Sequence, residues 1–313
     1  MGMKSIVTVT MNPAIDKTVE IERLVPGALN RITRVEYDAG GKGINVSRTI
    51  RELGGESTAV GFLGGNAGKA IEAVLDEKGI RHDFIRVEGE TRTNTKVFER
   101  DGTVTELNEP GPVISGRQMR ELMELLMGYA GERTLFVLSG SVPKGVDQDI
   151  YAKIIHMAHE RGAGVLLDAD GALFAGGMRE RPDLVKPNAA ELAEYAGYKG
   201  EASRGELLLA ARSLRRTGTG TVAVSMGKEG ALFLMEDYEV FCPALPVKAH
   251  STVGAGDAMA AALALGWSRG LGAEETVRLG MAASAGAVTA IGTKPPSLAL
   301  VEELMGKVIF TQL

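Results

Sequence analysis

The run Ser251-Thr252-Val253-Gly254-Ala255-Gly256-Asp257 sets small residues beside one carboxylate. The alanine-rich stretch Ala258 to Trp267 that follows predicts a helix, so the run lies at a helix N-terminus. Glycine and alanine leave backbone N–H groups unshielded there. Those donors, with the helix dipole, attract phosphate. Asp257 falls in the first turn, where the dipole favours the ionised carboxylate, so it is expected to be charged near neutral pH. A charged acid beside an anion nest can take the proton of an alcohol that attacks a phosphoryl group. The same residues also make a plain glycine-rich loop with an aspartate cap, and the run alone leaves both readings open.

Two further runs carry candidate chemistry. In Gly40-Gly41-Lys42-Gly43-Ile44-Asn45-Val46-Ser47 the glycines let backbone approach a ligand closely. Asn45 offers a donor and an acceptor suited to vicinal hydroxyls, and Lys42 adds positive charge. A tight turn with a solvated lysine would look the same. In Lys186-Pro187-Asn188-Ala189-Ala190-Glu191 the pair Asn188 and Glu191 reads as a capping box, a structural role. The alternative places Glu191 where it holds water around magnesium, an ion that keeps most of its waters and takes few protein carboxylates.

The elements that must position these loops alternate. Uncharged β-branched runs precede helical spacings: Thr58 to Leu63 before Ala67 to Lys78, and Thr134 to Leu138 before Asp147 to Arg161. Val165 to Leu167 and Thr221 to Ser225 are further buried-strand runs. A helix opens at Ser203 with Glu206 three residues on, a second capping box, and continues to Arg216. This rhythm predicts a mainly parallel sheet with helices on both faces, whose ligands bind beyond the C-terminal strand ends. Two segments break it. Residues 16–37, around Pro26-Gly27, and 92–107, around Asp101-Gly102, alternate polar and apolar residues as strands with one wet face do. They predict a small β layer attached to the main sheet and covering the site. From Gly256 to Lys307 the chain reads as almost all helix.

Composition narrows the class. The chain has 313 residues, 35 basic and 40 acidic, for a net charge of −5. That balance gives no general attraction to nucleic acid or to an acidic membrane. The 41 glycines are about 13% of the chain against an average of about 7%. Cys242 is the one cysteine, which excludes an intrachain disulfide and fits a reducing compartment. No apolar run has the length of an export signal or a membrane span, so a cytoplasmic setting is expected. No P-loop, no dinucleotide fingerprint after a strand and no nucleophile elbow occurs, which weighs against P-loop ATPases, nicotinamide dehydrogenases and α/β-hydrolases. His156 and His159 stand three apart on a helix with no third ligand, and read as ordinary surface residues rather than zinc ligands.

The two glycine runs together resemble the signatures of the ribokinase/PfkB carbohydrate kinases. Gly40 through Gly64 reads G-G-K-G-x-N-x-S-x₆-G-x₉-G, Ser251 through Ala264 surrounds G-A-G-D, and Asn188-x-x-Glu191 matches the element between them. The resemblance runs end to end. It is greatest to the phosphosugar branch of 1-phosphofructokinases and tagatose-6-phosphate kinases. The matching residues are Asn12-Pro13-Ala14-Ile15-Asp16, Thr91 to Lys96, Leu107 to Pro112, Ser139 to Pro143 and Ser225 to Gly230. Among these the former are closer, chiefly through Ser251 to Asp257.

This resemblance implies an α/β ribokinase-like three-layer sandwich, one domain over 1–313, with lid strands from about 11–40 and 90–110. It implies Asp257 as general base and the backbone of Gly254, Ala255 and Gly256 as anion hole. Asp16, Gly40, Gly41, Lys42, Asn45 and Ser139 would line the sugar site, with Arg92 on the lid pairing the sugar's phosphate. Lys186, Asn188, Ser225, Gly227, Gly230 and Ser251 would line the ATP site, and Glu191 would organise Mg2+. A monovalent cation and a homodimer contact through the lid are further implications, as are a phosphosugar and ATP as the ligands. The expected reaction is ATP-dependent phosphorylation of fructose 1-phosphate to fructose 1,6-bisphosphate. Tagatose 6-phosphate and fructose 6-phosphate are the alternative acceptors, and a non-catalytic sugar-phosphate sensor is the alternative of another class. His250, just before the loop, departs from the smaller or acidic residue usual there and is given no role.

Overall fold

Strand and helix alternate as the β-branched runs and helical spacings dictate. A computed structural model describes residues 4–290 and 292–313. The first part runs β1 (Ser5–Thr10), β2 (Ala14–Ile21), β3 (Ile32–Gly40), α1 (Lys42–Glu52), β4 (Thr58–Gly64), α2 (Gly65–Glu77) and β5 (Arg81–Val87). Then come β6 (Arg92–Glu99), β7 (Val104–Asn108), α3 (Gly116–Tyr129), β8 (Thr134–Ser139), α4 (Ile150–Glu160), β9 (Gly164–Asp168) and α5 (Gly171–Met178). Next are β10 (Leu184–Val185), α6 (Ala189–Tyr195), α7 (Arg204–Arg216), β11 (Thr221–Ser225), β12 (Ala231–Met235) and β13 (Tyr238–Cys242). The chain closes with α8 (Ala255–Arg269), α9 (Ala273–Ala287), α10 (Leu298–Met305) and β14 (Thr311–Gln312).

The large sheet has ten strands in the order β14-β13-β12-β11-β10-β9-β8-β1-β4-β5. From β11 to β5 every pairing is parallel; β11 to β14 pair antiparallel. Its central strands are apolar on both sides, and their side chains alternate between two cores. Val7, Phe136, Leu138, Val165, Leu167 and Val222 pack into one core with helices α3 to α7. Ile6, Leu135, Val137, Leu166 and Ala223 pack into the other with α1, α8, α9 and α10. This is the period-two pattern of a sheet covered on both faces, an α/β three-layer sandwich.

The two segments that broke the rhythm form the small sheet, in the order β3-β2-β6-β7. Each is an antiparallel pair, as its alternation predicts, and β2 joins β6 in parallel to fuse them. The register sends Asp16, Asn94, Lys96, Glu106 and Asn108 toward the main sheet. Lys17, Val35, Tyr37 and Leu107 point away. Among the described residues no helix is long and apolar enough to cross a membrane.

Candidate active site

The C-terminal ends of β9, β10 and β11, the starts of α1 and α8, and the inner face of the small sheet enclose a cavity of about 920 Å³. Gly254 caps α8 with φ 84°, a left-handed conformation natural to glycine, and so turns the chain into the helix. A helix start leaves its first amides short of carbonyl partners, and here Ala255 N–H makes only a long bond to Thr252 O at 3.4 Å. Gly254, Ala255, Gly256 and Asp257 all line the cavity. Asp257 is only 7% exposed, and Asn45 Nδ2 on α1 donates to its Oδ2 at 2.9 Å. Asn45 Oδ1 is buried without a partner, an acceptor awaiting a donor.

Burial pushes the Asp257 carboxyl up to about 6, and neighbouring Asp168 adds to the rise. Lys42, the Asn45 hydrogen bond and Lys186 pull it down and do not overcome the burial. The expectation that the helix start would lower it is therefore corrected in direction. Removing this acid from water outweighs a dipole term of about 0.3–2 kcal/mol. Its companion expectation, that the acid is charged near neutral pH, still follows from a value near 6.

Below Asp257 lies a charge cluster. Asp168 ends β9 at 1% exposure, and its Oδ1 meets Lys186 Nζ at 3.2 Å and Lys42 Nζ at 3.4 Å. Burial raises the Asp168 carboxyl, but the two lysines outweigh it and hold it below the usual range. Asp168 in turn holds Lys42 well above an ordinary lysine. Asn188 and Glu191 form the capping box of α6: Glu191 N–H donates to Asn188 Oδ1 at 2.9 Å and Asn188 N–H to Glu191 Oε2 at 2.8 Å. Burial raises the Glu191 carboxyl. Both residues also line the cavity.

On the small-sheet side Asp16, 5% exposed, meets Lys96 Nζ at 3.5 Å and accepts from Asn94 and Thr293 at the same distance. Arg92 lines the cavity with three of its donors already engaged. Its Nε and Nη2 bond Asn12 O at 3.3 and 3.1 Å, and Nη1 bonds Glu109 O at 3.2 Å. Gly41, Lys42, Lys186, Ser225, Gly227 and Gly230 line the cavity as well. Beyond Ser225 the wall turns apolar, with Leu245, Val247, Met281 and Val288.

Three expected residues stand apart from the cavity lining. A Cβ on Gly40 would sit 2.5 Å from Asp16 Oδ2, so this glycine makes room for the carboxylate. Ser139 is buried at the end of β8 with its hydroxyl unpartnered. Ser251 accepts from Val253 N–H at 3.2 Å, shaping the loop, and lines a second, smaller cavity with His250. His156 and His159 pair with Glu180 and Asp183 at 3.2 and 3.1 Å. Sequence reasoning assigned nothing to Asp168, Asn94, Lys96 or Thr293. The first had a usable signal, an acid at the C-terminal end of a parallel strand. The next two sit inside the quoted Thr91 to Lys96 run, and Thr293 had none.

Among the described residues no three or more His, Cys, Asp or Glu group to hold a metal unaided. A single carboxylate such as Glu191 suits a magnesium ion that keeps its waters and rides on nucleotide phosphates.

The pfkB family carbohydrate kinases match residues 8–299, and the chain belongs to that family. It is 33% identical over 312 residues to a 1-phosphofructokinase of Haemophilus influenzae, covering 99% of each chain. It is also 33% identical to a D-tagatose-1-phosphate kinase of Bacillus licheniformis, over 98% of this chain and 100% of the relative. The fold matches phosphofructokinase-2 from Escherichia coli, solved in complex with potassium. The TM-score is 0.92 at 29% identity, over 97% of this chain and 99% of that one.

Proposed function

We propose that this carbohydrate kinase transfers the γ-phosphoryl group of ATP to the free primary hydroxyl of fructose 1-phosphate, giving fructose 1,6-bisphosphate. The observation that carries the reading is Asp257: a buried acid, bonded to Asn45, opening into the cavity at the start of α8. Asp257 takes the hydroxyl proton as the oxygen attacks the γ-phosphorus. The bond to the bridging oxygen breaks and ADP departs. The amides of Gly254, Ala255 and Gly256 face the charge that develops on the transferring group. Asp16, Gly41 and Asn45 hold sugar hydroxyls, the unpartnered Asn45 Oδ1 among the acceptors. An arginine has five N–H donors. Arg92 spends three on backbone carbonyls, which leaves two for the sugar's phosphate, with Lys96 on the same face of β6, while Lys42 is held by Asp168 instead.

Lys186, Asn188, Ser225, Gly227 and Gly230 serve ATP, and the apolar wall takes its base. Glu191 would hold waters of Mg2+, which would neutralise phosphate charge when bound. A monovalent cation is a further ligand on the example of the potassium-bound Escherichia coli structure. The whole chain acts as one kinase unit with the small sheet as its lid, a cover that limits competing hydrolysis. The lid's outer face exposes Ile32, Val35, Tyr37 and Leu107, and this apolar face is the contact of a homodimer. A cytoplasmic setting goes with ATP use and a single buried cysteine.

A ketohexose phosphate of the tagatose series is the second reading, favoured by the Bacillus licheniformis relative. Tagatose differs from fructose at one hydroxyl, a matter of one or two hydrogen bonds. A non-catalytic sensor would have no need of the buried acid. The test is ADP release with fructose 1-phosphate, fructose 6-phosphate, tagatose 1-phosphate and tagatose 6-phosphate in parallel. Highest kcat/KM for fructose 1-phosphate is expected. Preference for a tagatose phosphate would establish the second reading, and binding without turnover would establish the sensor.

A further inference from the structure

Asp168 lies outside every motif used above, yet it organises the cations of the site. Its Oδ1 holds Lys42 Nζ from α1 and Lys186 Nζ from the end of β10, at 3.4 and 3.2 Å. The two ammonium groups therefore stand within about 7 Å of each other, where they repel. One shared carboxylate is what keeps them together. Lys186 is also pressed onto the anion loop: a Cβ on Gly256 would lie 3.2 Å from its Nζ. Lys42 lays its stem over Gly140, whose N–H donates to Asp168 O at 3.0 Å. Asp168 Oδ2 is buried without a partner, so the carboxylate is not consumed by structural hydrogen bonds.

We infer that Asp168 is a positioning residue for phosphoryl transfer: through Oδ1 it fixes Lys42 and Lys186 where their charges meet the phosphates in front of the Gly254–Gly256 amides. The inference rests on the kinase reading above. Phosphoryl transfer depends on placement of charge more than on covalent chemistry, so misplacing two cations slows the chemical step. The groups that face Asp168 are Lys42 on α1, Lys186 after β10, Asp257 on α8, Glu191 on α6, Tyr151 on α4 and Asp170 beside it. Asp168 is negative and close to Asp257, which it pushes toward the protonated form. A neutral residue at 168 relieves that push and frees the lysines to stabilise the Asp257 carboxylate.

The test compares wild type with Asp168→Asn and Asp168→Ser. It measures kcat, the KM of each substrate, the pH dependence of kcat/KM, and MgATP affinity by calorimetry. The expected result splits these quantities. Removing one negative charge leaves MgATP binding as tight as wild type or tighter, while kcat falls by about tenfold to a hundredfold. The acid limb of kcat/KM moves below its wild-type midpoint. Unchanged kcat with an unmoved acid limb would overturn the proposal, even with a lower melting temperature. Failure of both variants to fold would assign Asp168 to folding alone and overturn it too. If wild type turned over no phosphosugar, the kinase reading would fail. This inference would fall with it, whereas turnover by wild type with both variants unchanged would overturn this inference alone.

Discussion

Asp257 carries a charge that the fold disfavours. With its carboxyl pushed up to about 6, the free enzyme should lose kcat/KM about tenfold per pH unit on the acid side of 6. A pH profile between about 4.5 and 8 checks this; a limb near 4 would mean the acid is not buried in solution. The stability consequence has the opposite sign from an ordinary paired aspartate. Its folded-state value lies above the unfolded one, so between about 4 and 6 the folded chain binds the proton more readily. This residue's destabilising contribution is therefore absent at low pH and grows as pH rises through 6. Asp257→Asn should then stabilise the protein at pH 7, by up to about 3 kcal/mol and a rise of several degrees in Tm. A lower Tm at pH 7 would refute that. None of this was legible in the sequence. The run around Asp257 announces a helix start, but the depth of burial and the nearness of Asp168 come from strands and helices far along the chain.

The elements themselves were largely legible. β-branched runs became strands, the Ser203 and Asn188 boxes opened α7 and α6, and both alternating segments became antiparallel pairs. What escaped was non-local: the parallel β2–β6 pairing that fuses the two pairs, and the antiparallel edge β12–β13–β14. No local pattern specifies a partner so distant in sequence. The α6 box also allows its two duties to be separated. Asn188→Ala removes the cap and should cost about 1 kcal/mol, read as a lower denaturation midpoint. Glu191→Gln keeps an oxygen to accept the Asn188 N–H, so its Tm should hold while the Mg2+ concentration for half-maximal activity rises. A Glu191→Gln enzyme with an unaltered Mg2+ titration would confine Glu191 to capping.

At the scale of the whole molecule, the small sheet shows one polar face to the cavity and one apolar face to solvent. Tyr37 and Leu107 project from the outer face at 66% and 58% exposure, so Tyr37→Arg with Leu107→Lys should halve the sedimenting mass of a dimer. Sedimentation velocity reads this directly; a monomer mass for wild type, or an unchanged dimer mass in the variant, would contradict the proposed contact. The family was legible from two glycine runs because backbone geometry forces glycine at fixed spacing. The acceptor sugar was not, since it depends on side chains such as Asn94, Lys96 and Thr293 that meet only in the folded chain. The central claim is that one buried acid removes the proton from the sugar hydroxyl. Its most direct test is ADP release from MgATP and fructose 1-phosphate by wild type and Asp257→Asn at pH 7.5. Turnover by wild type and a loss of about 10²–10⁴-fold in the variant, with both KM values little changed, is the predicted result. An Asp257→Asn enzyme that turns over at the wild-type rate would contradict it.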